Sequence, residues 1–182
     1  MSAYRIHTVE SAPEKSKPAL RALQQNFGLI PNLAASMAES PVLLNGFAGA
    51  FQNFHGGSFT NAQRQTLLLA NAVANRCTWA VAFHSTLALK EGVAPSDVQA
   101  IREQRGPKDP QLAGLAGLAR KLIEKRGHLE EGDLRVFIDA GFGNDQVLEV
   151  IAGLAVSIMA NYAGNITQPP VEAPFQQQAW RP

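Results

Sequence analysis

A chain of 182 residues, 46% of them hydrophobic, can bury one core and is expected to form a single domain. Its 16 basic and 15 acidic residues are scattered and leave a formal net charge of +1, which excludes the basic footprint of a nucleic-acid or anionic-membrane partner. A single cysteine excludes an internal disulfide and the opening MSAYRIHTVE lacks the features of a secretory signal, so a reducing cytoplasm is the expected setting.

Helical spacing recurs along nearly the whole chain and strict alternation is scarce, so the expected fold is all-α, a bundle of about seven to eight helices. Residues 16–27 form the first helix, with Pro18 in its first turn, Leu20, Leu23 and Phe27 on one face, and Gly28 as its stop. Asn32 is placed to cap a short helix reaching residue 39, and Ser40-Pro41 is an N-cap and first helical residue of a helix running to 54. HGGS at 55–58 has the look of an oxyanion loop, but no GxSxG elbow accompanies it, so it reads as a helix-ending turn at a cleft edge. Thr60 and Gln63 have capping-box spacing for a helix ending near 75. A helix over 78–91 is closed by Gly92, and Pro95 opens another toward 104.

In the second half, Asp109-Pro110 starts a helix whose apolar face, Leu112, Leu115, Leu118 and Leu122, stops at Gly127. A helix over 130–140 is closed by Gly141, and a long apolar helix runs from 144 to 163. Its most apolar stretch, 150–160, falls well short of the roughly 20 residues that span a bilayer, so it reads as buried and no membrane partner is expected. The tail, 167–182, has no helical period and is expected to wrap a surface or a neighbouring subunit with Phe175 and Trp180. The chain thus divides into N-terminal helices (1–58), a central helix pair (59–93), C-terminal helices (94–166) and the tail. Ala-, Gly- and Leu-rich faces over 112–122 and 147–163 predict a homo-oligomer.

Chemistry-bearing residues are few. His7, His55, His84 and His128 with the lone Cys77 offer no metal-ligand spacing, and neither GxGxxG nor GxxxxGK[ST] occurs, so no metal and no cofactor are expected. What remains is CTWAVAFH at 77–84, in which Cys77 is expected in the first turn of a helix beside Arg76, where backbone N–H groups favour a thiolate.

The run FTNAQRQTLLLANAVANRCTWAVAFHSTLALKEGV at 59–93 resembles the core of the carboxymuconolactone decarboxylase and alkylhydroperoxidase AhpD-like family, and 27–47 and 109–124 resemble its flanking helices. The resemblance implies an AhpD-like helical bundle, a trimer or a hexamer made of trimers, and a proton relay of a glutamate, a CxxC pair and a histidine. Carried onto this chain, the relay maps to Gln65, Cys77, Ala80 and His84. The second cysteine is therefore a methyl group and the carboxylate an uncharged amide. Cys77 and His84 lie about 10 Å apart along the helix axis, too far for direct proton transfer. Three readings stand: a one-cysteine or impaired peroxidase consuming hydroperoxide at Cys77, with His84 and Gln65 shaping the pocket and an external thiol as reductant; a non-catalytic or differently catalytic oligomer that keeps the cleft; and a lyase resembling the lactone-acid decarboxylases.

Overall fold

The computed structural model describes residues 4–182. Among these there are helices and turns and no strand, as the periodicity required. The helices are α1 (Lys17–Phe27), α2 (Asn32–Met37), α3 (Pro41–His55), α4 (Asn61–Ala74), α5 (Thr78–Lys90), α6 (Pro95–Arg102), α7 (Pro110–Glu124), α8 (Glu131–Asp139) and α9 (Asn144–Thr167).

Their boundaries follow local chemistry. Gly28, at φ +73°, takes the left-handed conformation that closes α1. Ser40 accepts from the Leu43 N–H at the start of α3, Thr60 and Gln63 form the reciprocal capping box of α4, and Asp109 accepts from the N–H groups of Gln111 and Leu112 in α7. Two expectations need correction. Asn32 is the first residue of α2 rather than its cap, and its amide donates instead to the Pro170 carbonyl at 3.0 Å. The long helix α9 continues to Thr167, where Gln168 at φ 46° and Pro169 end it.

The core is one cluster in which α4 is central. Every residue from Gln65 to Val73 is buried, since α5, α6, α7 and α9 all pack on it. Gly153 lets α9 approach, because a Cβ there would stand 2.5 Å from Leu67 and 2.9 Å from the Phe54 ring. The opposite face of α9 faces outward, with Leu148, Ile151, Ile158, Tyr162 and Ile166 exposed. By length and composition α9 is also the one helix among the described residues able to cross a membrane, although its inner face is part of the core.

The tail packs on its own bundle, which removes the reason to expect it on a neighbouring subunit. Residues Ala173–Gln178 form a 3₁₀ helix that seats Phe175 against α5, with ring centroids 4.9 Å from Phe83 and 6.5 Å from Trp79. Glu172 accepts from the Trp79 indole N–H at 2.9 Å and from the Asn32 backbone N–H at 2.6 Å, while Arg102 donates to the carbonyls of Gln178 and Ala179. Removing a buried ring of this kind costs about 3 kcal/mol. Phe175→Ala is therefore expected to lower the midpoint of thermal unfolding by roughly 10 °C, measured by circular dichroism.

Candidate functional site

The α4–α5 connection sets the positions of all three sequence-predicted site residues. Arg76 adopts φ 53°, the Arg76 N–H donates to Val73 O at 3.0 Å and the Cys77 N–H donates to Ala72 O at 2.9 Å. This pair of bonds is a Schellman ending for α4, here built with an arginine in the left-handed position usually taken by glycine. The residue after that position turns inward onto the helix it terminates, and this residue is Cys77, which is also the N-cap of α5.

The thiol is consequently inside the protein. Cys77 is 1% exposed, and its Sγ lies against Gly164 of α9, where a Cβ on the glycine would stand 2.8 Å from the sulfur. Burial pushes the Cys77 thiol up from its ordinary value, and the backbone N–H groups of Ala80 and Trp79 at the helix start offset only part of that. The expectation of a thiolate is thus corrected: the helix start acts on the sulfur as anticipated, but desolvation is the larger effect.

Gln65 and His84 do come together. The His84 Nδ1–H donates to Gln65 Oε1 at 2.9 Å, a bond between two buried helices that fixes the ring and its tautomer. No protein group among the described residues pairs with the His84 Nε2. Burial drives the His84 pKa down to about 3, with His55 as a secondary influence, so the ring is neutral at physiological pH. His55 itself donates its Nδ1–H to Phe51 O, 2.9 Å away, stacks on the Phe51 ring, and is also pushed down by burial.

His84 lines a cavity of about 40 Å³ between α1, α2, α3, α5 and α9, room for a few water-sized groups. Its walls are otherwise almost wholly apolar: Phe27, Phe47, Phe51, Trp79 and Phe83 supply aromatic surface, and Ala80 occupies the place where the relay would have its second cysteine. Ser157 is the other polar side chain on the wall, and its hydroxyl oxygen accepts from Asn71 Nδ2 at 3.1 Å. Cys77 does not line this cavity, and no lysine or arginine does. Sequence reasoning missed the phenylalanines of α1 and α3, although the spacing of Phe47 and Phe51, one helical turn apart, was a usable sign of a shared face. HGGS ends α3 as expected, and Ser58 donates through its backbone N–H and hydroxyl to Glu149 rather than edging this cavity. Among the described residues no group of acidic, histidine or cysteine side chains is arranged to hold a metal.

Comparison with known proteins places this geometry in context. Residues 33–109 match the carboxymuconolactone decarboxylase family. The fold is shared with an uncharacterized peroxidase-related protein from Ralstonia eutropha JMP134 that has an alkylhydroperoxidase AhpD core (TM-score 0.83, 18% identity, 96% of this chain and 94% of that one). It is shared too with the C82A variant of the debrominase Bmp8 in complex with 2,3,4-tribromopyrrole (TM-score 0.80, 17% identity, 98% and 96% covered) and with an uncharacterized peroxidase-related protein from Silicibacter sp. TM1040 (TM-score 0.78, 17% identity, 96% and 93% covered). No curated protein matches the chain by sequence.

Two measurements follow from this geometry. In the native protein Cys77 is expected to react with an aromatic disulfide reagent at least tenfold more slowly than in denaturant, and Cys77→Ala should cost only about 1–2 kcal/mol. A histidine whose folded pKa, about 3, lies below its unfolded value of 6.5 binds its proton in the unfolded chain first. Stability is therefore complete above the unfolded value and is lost as pH falls through the window between the two. Denaturant titrations from pH 7 to pH 4 are expected to show this decline, and His84→Leu should flatten it.

Proposed function

We propose, on the premise that residues 33–109 belong to the carboxymuconolactone decarboxylase family, that this chain uses the family's helical bundle without a thiol relay: it binds and orients a small, neutral aromatic molecule through His84. The observation that carries this reading is the His84–Gln65 bond, which commits Nδ1 and leaves Nε2 as the hydrogen-bond acceptor of a ring that lines an aromatic cavity. A ring bearing one O–H or N–H fits both features, since the walls bury its faces and Nε2 takes its donor. The pyrrole held by a debrominase of the same fold is a planar ring with one N–H, a precedent for the class. A single ring exceeds the space present, so binding requires the half-buried Phe27, Phe47 or Phe51 side chains to swing outward.

Hydroperoxide reduction at Cys77, with an external thiol as reductant, has weaker support. The sulfur is buried away from the cavity, its pKa is raised, and no second cysteine is available. A lyase acting on a lactone acid would have to hold a carboxylate, and the cavity wall has no cation for it. His84 also has too little basicity to store a proton at neutral pH, so its part is to orient a donor and accept its proton only transiently.

Titration calorimetry with phenol, pyrrole and benzoate as probes tests the reading. Phenol or pyrrole is expected to bind and benzoate to bind more weakly. His84→Phe should weaken phenol binding about tenfold, the worth of one hydrogen bond, with Cys77→Ala unchanged. Hydroperoxide turnover abolished by Cys77→Ala would overturn it.

A further inference from the structure

Two polar side chains stand on the wall of the aromatic cavity, His84 and Ser157. Ser157 of α9 is 3% exposed, and its Oγ accepts from Asn71 Nδ2 at 3.1 Å. That bond uses the oxygen and leaves the proton. A serine or threonine inside a helix commonly donates its proton to the carbonyl one turn back, as Thr86 of α5 does to Ala82 O at 2.9 Å. Ser157 makes no such bond to Gly153, and among the described residues no protein group accepts its proton. A buried hydroxyl with an unused donor on a cavity wall is a group for a ligand to meet.

The central helix sets the sense of both groups. Gln65 Oε1 accepts from the His84 Nδ1–H, so the imidazole keeps an acceptor, Nε2; Asn71 Nδ2 donates to Ser157, so the hydroxyl keeps a donor. Turning the Asn71 amide over would take up the serine proton, but it would set an NH₂ group in place of Oδ1 on a helix pair where Asn161, one turn beyond Ser157, already has a buried Nδ2 without an acceptor. Unpaired buried N–H groups are rarer than unpaired oxygens, so the orientation with Nδ2 toward Ser157 is the favoured one.

We infer that Ser157 is a second recognition group, and that the ligand is a neutral ring carrying two functions: an O–H or N–H for His84 Nε2, and an uncharged acceptor, a carbonyl above all, for the Ser157 hydroxyl. The inference rests on the proposed binding of a neutral aromatic molecule at His84 and adds what the ring must carry. No other lining side chain serves either function, because the Trp79 indole N–H is taken by Glu172 and the rest are apolar. A carboxylate is the poorer acceptor here, since its charge would find no cation on the wall. The two anchors are held from points six residues, about 9 Å, apart along α4, which favours functions placed across a ring over functions on adjacent atoms.

The test is titration calorimetry on the full chain in mildly acidic buffer, where the phenols are un-ionised and His84 is still neutral. It compares 3- and 4-hydroxybenzaldehyde with the 3- and 4-ethylphenols that match them in size. At least one aldehyde is expected to bind about fivefold more tightly than its ethyl counterpart, the worth of one neutral hydrogen bond, and Ser157→Ala should bring the two affinities together. The infrared carbonyl stretch of the favoured aldehyde should lie lower in the native complex than in cyclohexane, a readout that decides the matter even if the alanine variant is unstable. Aldehydes no tighter than ethylphenols, an advantage that survives Ser157→Ala, or a carbonyl band at its cyclohexane position would each overturn the role of Ser157; the first is the result expected of a serine served by cavity water alone. Failure of phenol and of every ethylphenol to bind would instead overturn the binding of a neutral ring at His84, and this inference with it.

Discussion

A helix buried on every side can send its polar side chains only to other buried groups, and α4 is such a helix. Gln65, Thr66 and Asn71 point into protein, and each needs a partner that the packing helices supply or withhold. Gln65 finds His84 on α5 and Asn71 finds Ser157 on α9, while Thr66 Oγ1 and Asn71 Oδ1 remain unpaired. The two bonds that form fix α5 and α9 against α4 at the points where they border the cavity. The candidate site is thus a by-product of satisfying the central helix: the ring of His84 is held in place because Gln65 has no solvent to turn to.

An uncharged amide at position 65 suits this setting. A glutamate there would either carry a buried charge paired with a protonated imidazole or hold its own proton. The amide needs no such compensation, and with it the histidine stays neutral. Ala80 adds apolar surface to the same cavity wall.

Much of the fold was legible because it rests on local signals. Ser40-Pro41, the Thr60–Gln63 box, Asp109-Pro110 and the glycine stops at 28, 92 and 127 act within a few residues, and each appears where its spacing places it. What eluded sequence reasoning depends on distant contacts. Nothing near Cys77 in the chain announces that Gly164 will pack against it, and desolvation, which decides the thiol's character, is a property of such distant neighbours. The aperiodic tail was equally opaque, since Phe175 finds its partners on α5, far back in the chain. The pairing of Gln65 with His84 lay between these cases: the resemblance of the motif brought them to one site, but only the packed helices determine that the bond takes Nδ1.

The clamp around Glu172 also bears on when the pocket becomes complete during synthesis. Its hydrogen bonds reach across 140 residues to Asn32 and 93 residues to Trp79, and Trp79 stacks on Phe83 at 4.9 Å in the cavity wall. Helices α1 to α5 can begin to form as they emerge from the ribosome, since their backbone hydrogen bonds are local even though α3 to α5 pack mostly on later elements. The aromatic wall cannot be locked until the segment around Glu172 has left the exit tunnel and closed a loop of this length. A nascent chain therefore passes through a stage with its helices present and its aromatic cavity still loose, and that interval is when chaperone contact with those phenylalanines would be most useful.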